Sequence, residues 1–214
     1  MHLDQITPLI LTYNEEPNID RTLSKLTWAS QILIIDSYSD DRTIKIAESY
    51  PQTKILQCQF DTHTNQWNYG LQHIATEWVL SLDADYQISK PLLIEIENLI
   101  IKNSVNGYFI SFKYCVFGKS LRGAILPPRQ ALFRKSKAVY IDDGHTQLLQ
   151  IDGLSESLKK AIYHDDRKPL SRWLWAQDRY LKIEAQKLST APWTKLSWGD
   201  RIRTLKFLAP PIQI

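Results

Sequence analysis

At 214 residues the chain suits one large domain, or one domain plus an appendage. A hydrophobic share of 43% and a charged share of 23% exclude disordered and collagen-like classes. Two cysteines, Cys58 and Cys115, exclude a disulfide framework, lack metal-motif spacing and fit a reducing compartment. The net charge of +3 hides an asymmetry: residues 159–206 hold 12 Lys/Arg against 5 Asp/Glu, and the remainder 14 against 18. Met1-His2-Leu3-Asp4 lacks the basic start and apolar core of a signal peptide. No apolar run reaches about 18 residues, so no membrane-spanning helix is expected.

Ile6–Leu11 reads as a first strand, although Pro8 points to an early or irregular position. Thr12-Tyr13-Asn14-Glu15-Glu16-Pro17 is the turn into a helix, whose stripe of Ile19, Leu23 and Leu26 runs to about Ser30. Gln31–Asp36 is almost wholly apolar and ends in Asp, as a strand buried on both faces of a parallel sheet does. Ser37–Asp41 is a loop with capping residues. A helix through Ile44, Ala47 and Tyr50 follows, then a strand at Lys54–Gln57 and a helix at Thr64–Ile74. The run from Glu77 to Leu82 is the next strand, and it closes on Asp83-Ala84-Asp85.

Carboxylates at i and i+2 on an extended segment face one way and repel unless a cation stands beside them. Such oxygens suit Mg²⁺ or Mn²⁺, which also take phosphate oxygens; a polar turn after a buried strand is the competing explanation. Strand–helix alternation with short connections predicts a right-handed parallel α/β sheet. Thr12–Glu15, Asp36 and Asp83/Asp85 then converge on the carboxyl edge of the strands, where open sheets bind ligands. The chain has no G-x-x-x-x-G-K-[ST] and no G-x-G-x-x-G, so a bound diphosphate would rely on metal and side chains.

Beyond Pro91 the sequence predicts a helix over Leu92–Lys102 and strands over Tyr108–Tyr114, Gln130–Arg134 and Leu148–Ile151. A polar stretch, Ile141–Gln147, precedes the last of these. Leu170–Leu188 reads as a long amphipathic helix. The basic tail also carries Trp173, Trp175, Trp193, Trp198 and Phe207, a mixture that suits an anionic membrane or nucleic acid, or a solvated helix with its tryptophans on the core.

Thr12-Tyr13-Asn14-Glu15-Glu16, Asp36-Ser37-Tyr38-Ser39-Asp40-Asp41-Arg42-Thr43, Leu82-Asp83-Ala84-Asp85 and Asp142-Asp143-Gly144-His145-Thr146-Gln147 fall in the order and spacing of family 2 glycosyltransferases. The chain resembles that family over residues 5 to 190, most closely its lipopolysaccharide-core branch. The resemblance implies a GT-A fold, a mostly parallel sheet flanked by helices. Residues 1–165 would form the glycosyltransferase domain, with a nucleotide-sugar half at 1–90 and an acceptor half at 91–165. Residues 166–214 would be a helical, basic and aromatic appendage. The implied activity is inverting transfer of a hexose from a nucleotide-sugar, usually UDP-linked, to a glycolipid or saccharide. The implied cofactor is Mg²⁺ or Mn²⁺; the expected location is the cytoplasm, with the basic, aromatic tail pointing to peripheral contact with the cytoplasmic face of the inner membrane, and no nucleic-acid partner is expected.

The resemblance places Thr12, Tyr13, Glu15, Asp36 and Asp83 at the nucleotide, with Asp36 accepting from the base. Asp85, Asp83 and His164 would hold the metal. Asp143 would be the catalytic base, with Asp142 the alternative. Arg129 and His145 would meet diphosphate or acceptor. Tyr38 stands where the family usually has glycine, and Trp67-Asn68 where it usually has Arg-Asn.

Overall fold

The computed structural model describes residues 1–123, 127–143, 146–196 and 198–205. Its first half alternates as the sequence predicts: β1 (Ile6–Thr12), α1 (Ile19–Leu23), β2 (Ile32–Asp36), α2 (Thr43–Ala47), β3 (Thr53–Gln57), α3 (His63–Gln72) and β4 (Trp78–Asp83). After β4 come β5 (Tyr86–Ile88), α4 (Lys90–Glu97), β6 (Val105–Val116), β7 (Lys119–Ser120), β8 (Arg129–Arg134), β9 (Ala138–Asp143), β10 (Thr146–Ile151) and β11 (Leu154–His164). Two helices follow, α5 (Leu170–Thr190) and α6 (Trp198–Leu205).

The main sheet runs β3-β2-β1-β4-β8-β6-β11-β5, with β7 paired to β6, while β9 and β10 form a separate hairpin. Strands β3, β2, β1 and β4 are parallel; β8 is antiparallel to both its neighbours, β11 is parallel to β6, and β5 is antiparallel to β11. The parallel half is the more apolar: Ile32 through Asp36 are all buried, as are Trp78, Val79 and Leu80. Pro8 sits in β1, a central strand, but precedes the first β1–β2 pair at Leu9↔Leu33, where β1 has β4 alone as neighbour.

The structure departs from the sequence-based elements most clearly at α1, β5 and β11, and α4 ends at Glu97 rather than Lys102. Helix α1 stops at Leu23; tight turns with Lys25 N–H to Thr22 and Leu26 N–H to Leu23 carry the chain onward, and Leu26 and Ala29 are buried all the same. Strand β5 is a three-residue return just after Asp85, too short to leave a periodic signal. Strand β11 is eleven residues long and gave no strand pattern, because its register on β6 breaks between Ser157 and Ala161. Across that bulge the Lys159 and Lys160 N–H groups, which have no strand partner there, both donate to the Glu95 carboxylate of α4 at 2.8 Å. The basic segment that starts at Lys159 therefore begins inside the main sheet.

Candidate active site

The loops after β1 and β2 are tied together before any ligand is considered. Asp36 ends β2 fully buried; its carboxylate accepts from Thr12 Oγ1 at 2.9 Å, Ser39 N–H at 2.8 Å and Ser39 Oγ at 2.6 Å. Asn14 N–H donates to Ser39 Oγ, Asp40 N–H to Asn14 Oδ1, Glu15 N–H to Thr43 Oγ1 and Glu16 N–H to Asp41 Oδ2. Much of the Thr12–Glu16 and Asp36–Thr43 motifs is thus consumed in holding two loops rigidly side by side. Asp36 and Thr12 are positioning groups in this geometry rather than open ligands. Two aromatic rings of these motifs stay exposed, Tyr13 at 47% and Tyr38 at 56%.

Tyr38 explains the glycine usual at its position. Its φ is 60°, in the left-handed region where a side chain costs roughly 1–2 kcal/mol. Because Tyr38 is exposed, packing does not mask the backbone term. Tyr38→Gly is expected to leave stability unchanged or raise it by up to about 1 kcal/mol, whereas Tyr38→Val should lower it by about 1–2 kcal/mol. Urea midpoints of the three proteins check this; equal losses in both variants would remove the strain argument.

At the end of β4 the two carboxylates part company. Asp83, 43% exposed, lies 3.7 Å from Arg129, whose Nη1 also donates to the Tyr86 hydroxyl at 3.2 Å. Asp85 turns inward, and its Oδ2 is 3.0 Å from His164 Nε2. The Thr22 hydroxyl, donating to the Ala84 carbonyl at 2.6 Å, and Asp165 N–H, donating to the Asp85 carbonyl, hold the turn between them. Tyr86 and Tyr114 flank the His164 ring, with centroids 5.1 and 4.7 Å away. Burial alone would lower the His164 pKa; the hydrogen bond and charge of Asp85, helped by Asp83 and Asp166, prevail and hold it above its usual value. Arg129 is likewise held above its usual value, with the charge of Asp83 prevailing over burial.

Asp85 Oδ1, His164 Nδ1 and the Tyr114 hydroxyl, all buried here, have no hydrogen-bond partner among the described residues. A lone carboxylate oxygen beside an imidazole fits a divalent cation. Among the described residues no three His, Cys, Asp or Glu side chains cluster as a protein-only cage, so a cation held here must take further ligands from elsewhere.

Glu15 does not face open space. Its Oε1 is 2.5 Å from Lys168 Nζ, and its Oε2 accepts from Asn18 Nδ2, which also donates to Asp166 Oδ1. Burial pushes the Glu15 pKa up to about 7, with the Lys168 charge opposing and the Asp85 charge adding. Because this lies above the unfolded value of 4.5, the protonated form favours the fold. That stability is complete below about pH 4.5 and lost as pH rises through 7, roughly 3 kcal/mol over the window. Glu15→Gln is expected to flatten this slope; melting curves at about pH 5 and pH 8 that shift equally in both proteins would overturn it.

A cavity of about 270 Å³ opens beside Asp83, walled by Tyr86, Arg129, Tyr140, Gln147 and Leu149 among others. Hairpin β9–β10 forms one side. Asn68 locks it in place, donating to the Tyr140 carbonyl at 2.8 Å and accepting from Tyr140 N–H at 3.0 Å. The buried Trp67 stacks on Tyr140 at 5.3 Å. Trp67-Asn68 therefore serves the cavity wall. In β9, Tyr140 and Asp142 share a face by strand alternation, and their partners Leu149 and Gln147 lie on that side too. His145 and the Asp143 side chain lie outside the described residues.

Residues 9–151 match the family described as Glycosyl transferase family 2. The chain belongs to that family. It is 30% identical over 105 residues to an uncharacterized glycosyltransferase of Rickettsia bellii, a match covering 49% of this chain and 35% of that protein, so the match spans about a third of the relative's length. It superposes on S. aureus TarS 1-349 in complex with UDP-GlcNAc with TM-score 0.59 at 17% identity, covering 94% of this chain and 70% of that one. For glucosyl-3-phosphoglycerate synthase from Mycobacterium tuberculosis, with Mn²⁺, UDP and phosphoglyceric acid, the TM-score is 0.56 at 13% identity, with 87% and 79% covered. The fold of this family 2 member is that of these GT-A glycosyltransferases.

Three contributors went unread in the sequence. Lys168, Tyr86 and Tyr140 reach the site through contacts with partners far away in the chain. The division at 165/166 cuts through Glu15–Lys168, Asn18–Asp166 and the Arg167 N–H bond to Asn18 Oδ1, so residues 166–168 are built into the glycosyltransferase domain. Among the described residues no helix is long and apolar enough to cross a membrane.

Proposed function

We propose that this family 2 glycosyltransferase is inverting and metal-dependent, and that it moves a hexose from a UDP-sugar to a hydroxyl of a glycolipid or saccharide of the cell envelope, the lipopolysaccharide core being one such acceptor. The observation that carries this is the partnerless Asp85 Oδ1 against His164, beside Asp83 and the 270 Å³ cavity, at the carboxyl edge of the sheet. UDP and Mn²⁺ in the M. tuberculosis synthase structure, which shares the fold, support the donor and the cation.

Asp85 and His164 would hold a Mg²⁺ or Mn²⁺ ion, with Asp83 beside it. Bound there, the cation neutralises charge on the leaving diphosphate. Arg129, fixed by Asp83 and Tyr86, meets the substrate at the cavity mouth. A carboxylate of the β9–β10 hairpin takes the proton of the acceptor hydroxyl as its oxygen bonds to the anomeric carbon and the bond to diphosphate breaks. The sequence favoured Asp143 for this task; strand alternation supports Asp142, which shares a strand face with the cavity-lining Tyr140.

The basic tail and the exposed Leu170, Leu174 and Trp198 support peripheral contact with an anionic membrane, where a glycolipid acceptor resides. A thermal-shift panel of nucleotide-sugars with and without Mn²⁺ tests the donor reading. A ligand at a hundred times its Kd adds about 2.7 kcal/mol of stability. If no nucleotide-sugar raises the melting temperature, the proposal fails; binding without turnover on any acceptor indicates a binding module.

A further inference from the structure

Helix α5 carries a row that the reaction as described does not use. Arg172, Trp175 and Arg179, spaced i, i+3 and i+7, lie along one face. Within the row, the Arg172 guanidinium is 4.4 Å from the Trp175 ring centre and that of Arg179 is 5.9 Å from it. Across the gap, Arg172 stands 5.9 Å from the Tyr13 ring centre and Arg179 stands 5.8 Å from the Phe60 ring centre. Tyr13 follows β1 and Phe60 follows β3, so the two rings bracket the carboxyl edge of β2, where Asp36 holds its loop. Both cross-gap distances, like that between Arg179 and Trp175, sit at the outer limit of cation–π attraction, against the 4.4 Å between Arg172 and Trp175. Tyr13 and Trp175 are about half exposed. The Lys168–Glu15 ion pair, just before α5, pins the start of the helix to this edge.

We infer that Arg172 and Arg179 form the outer wall of the nucleoside subsite, covering with planar guanidinium groups a base that seats on the Tyr13 and Phe60 side. The inference rests on the nucleotide-sugar reading above and adds the closing wall to it. Delocalised guanidinium groups suit this position because they stack on aromatic faces and lie near the donor's negative charge at once. A residue on α5 makes donor affinity depend on the docking of a helix that the sequence assigned to an appendage.

The test is UDP affinity by calorimetry in Mn²⁺, on the full chain. Arg172→Ala and Arg179→Ala are each expected to weaken UDP by about tenfold. Lys182→Ala, on the same helix but paired with Asp178, should bind as wild type. Arg172→Lys keeps the charge and loses the plane, so it should resemble the alanine variant. Unchanged affinity in both alanine variants overturns the inference, as does tighter UDP binding, which would make α5 a plug. Full recovery by Arg172→Lys also overturns it, reducing the role to charge alone. If the wild-type protein binds none of UDP, GDP or ADP, the nucleotide-sugar reading itself fails.

Discussion

Asp85→Ala is expected to abolish the metal dependence of UDP binding and to lower turnover by about 10³-fold or more. Its carboxylate is 13% exposed, with one oxygen 3.0 Å from His164 and the other partnerless. Leaving an acceptor oxygen buried and unpaired costs about 1–3 kcal/mol, more for a charged group, so the position is destabilised unless something occupies it. Removing the carboxylate also strips His164 of the group that outweighs its burial, so the imidazole should titrate lower. Asp83→Ala should act differently. That carboxylate is 43% exposed and pairs with Arg129 at 3.7 Å, so a loss of about 10- to 10²-fold with metal dependence retained is expected. Chelation of wild type by EDTA should reproduce the Asp85→Ala defect and not add to it. The experiment is UDP affinity with and without Mn²⁺ for all three proteins; Mn²⁺ enhancement surviving in Asp85→Ala would remove the metal site from this position.

The parallel half of the fold was legible because β1, β2 and β4 are largely apolar runs with a polar end. A strand buried on both faces needs little else from its neighbours to be recognised. The same property put Thr12, Asp36 and Asp83 at one edge. Strand β11 was opaque for the opposite reason: half its length faces water, and the bulge at Leu158–Lys160 shifts the period, with the cost met by Glu95, 64 residues away from Lys159. The motif carboxylates also make structural contacts that the sequence does not announce. Asp36 and Glu15 are acidic, near the nucleotide edge and motif-borne, yet three donors meet the first and Lys168 and Asn18 meet the second. No local pattern encodes a partner 153 residues distant. His164 is singled out through the family resemblance, and the pair it makes with Asp85 spans 79 residues.

The acidic pair on β9 gives the second large effect. Successive residues of a strand point to opposite faces, so one of Asp142 and Asp143 can share the face of Tyr140. Tyr140 is buried against Trp67 and lines the cavity; its partner Leu149 does the same, and Asp142 pairs with Gln147, another lining residue. Asn68 fixes the Tyr140 backbone on both its N–H and its carbonyl, so the hairpin cannot slip by one residue without breaking both bonds. Asp142→Asn is therefore expected to lower kcat by about 10²- to 10⁴-fold, the range for loss of a general base, with KM for the donor little changed. Asp143→Asn should retain most activity. Asparagine preserves shape and one acceptor oxygen and removes basicity, so folding is expected to survive in both. The reverse assignment of these two phenotypes would mean that the hairpin turns its other face to the acceptor once substrate is bound.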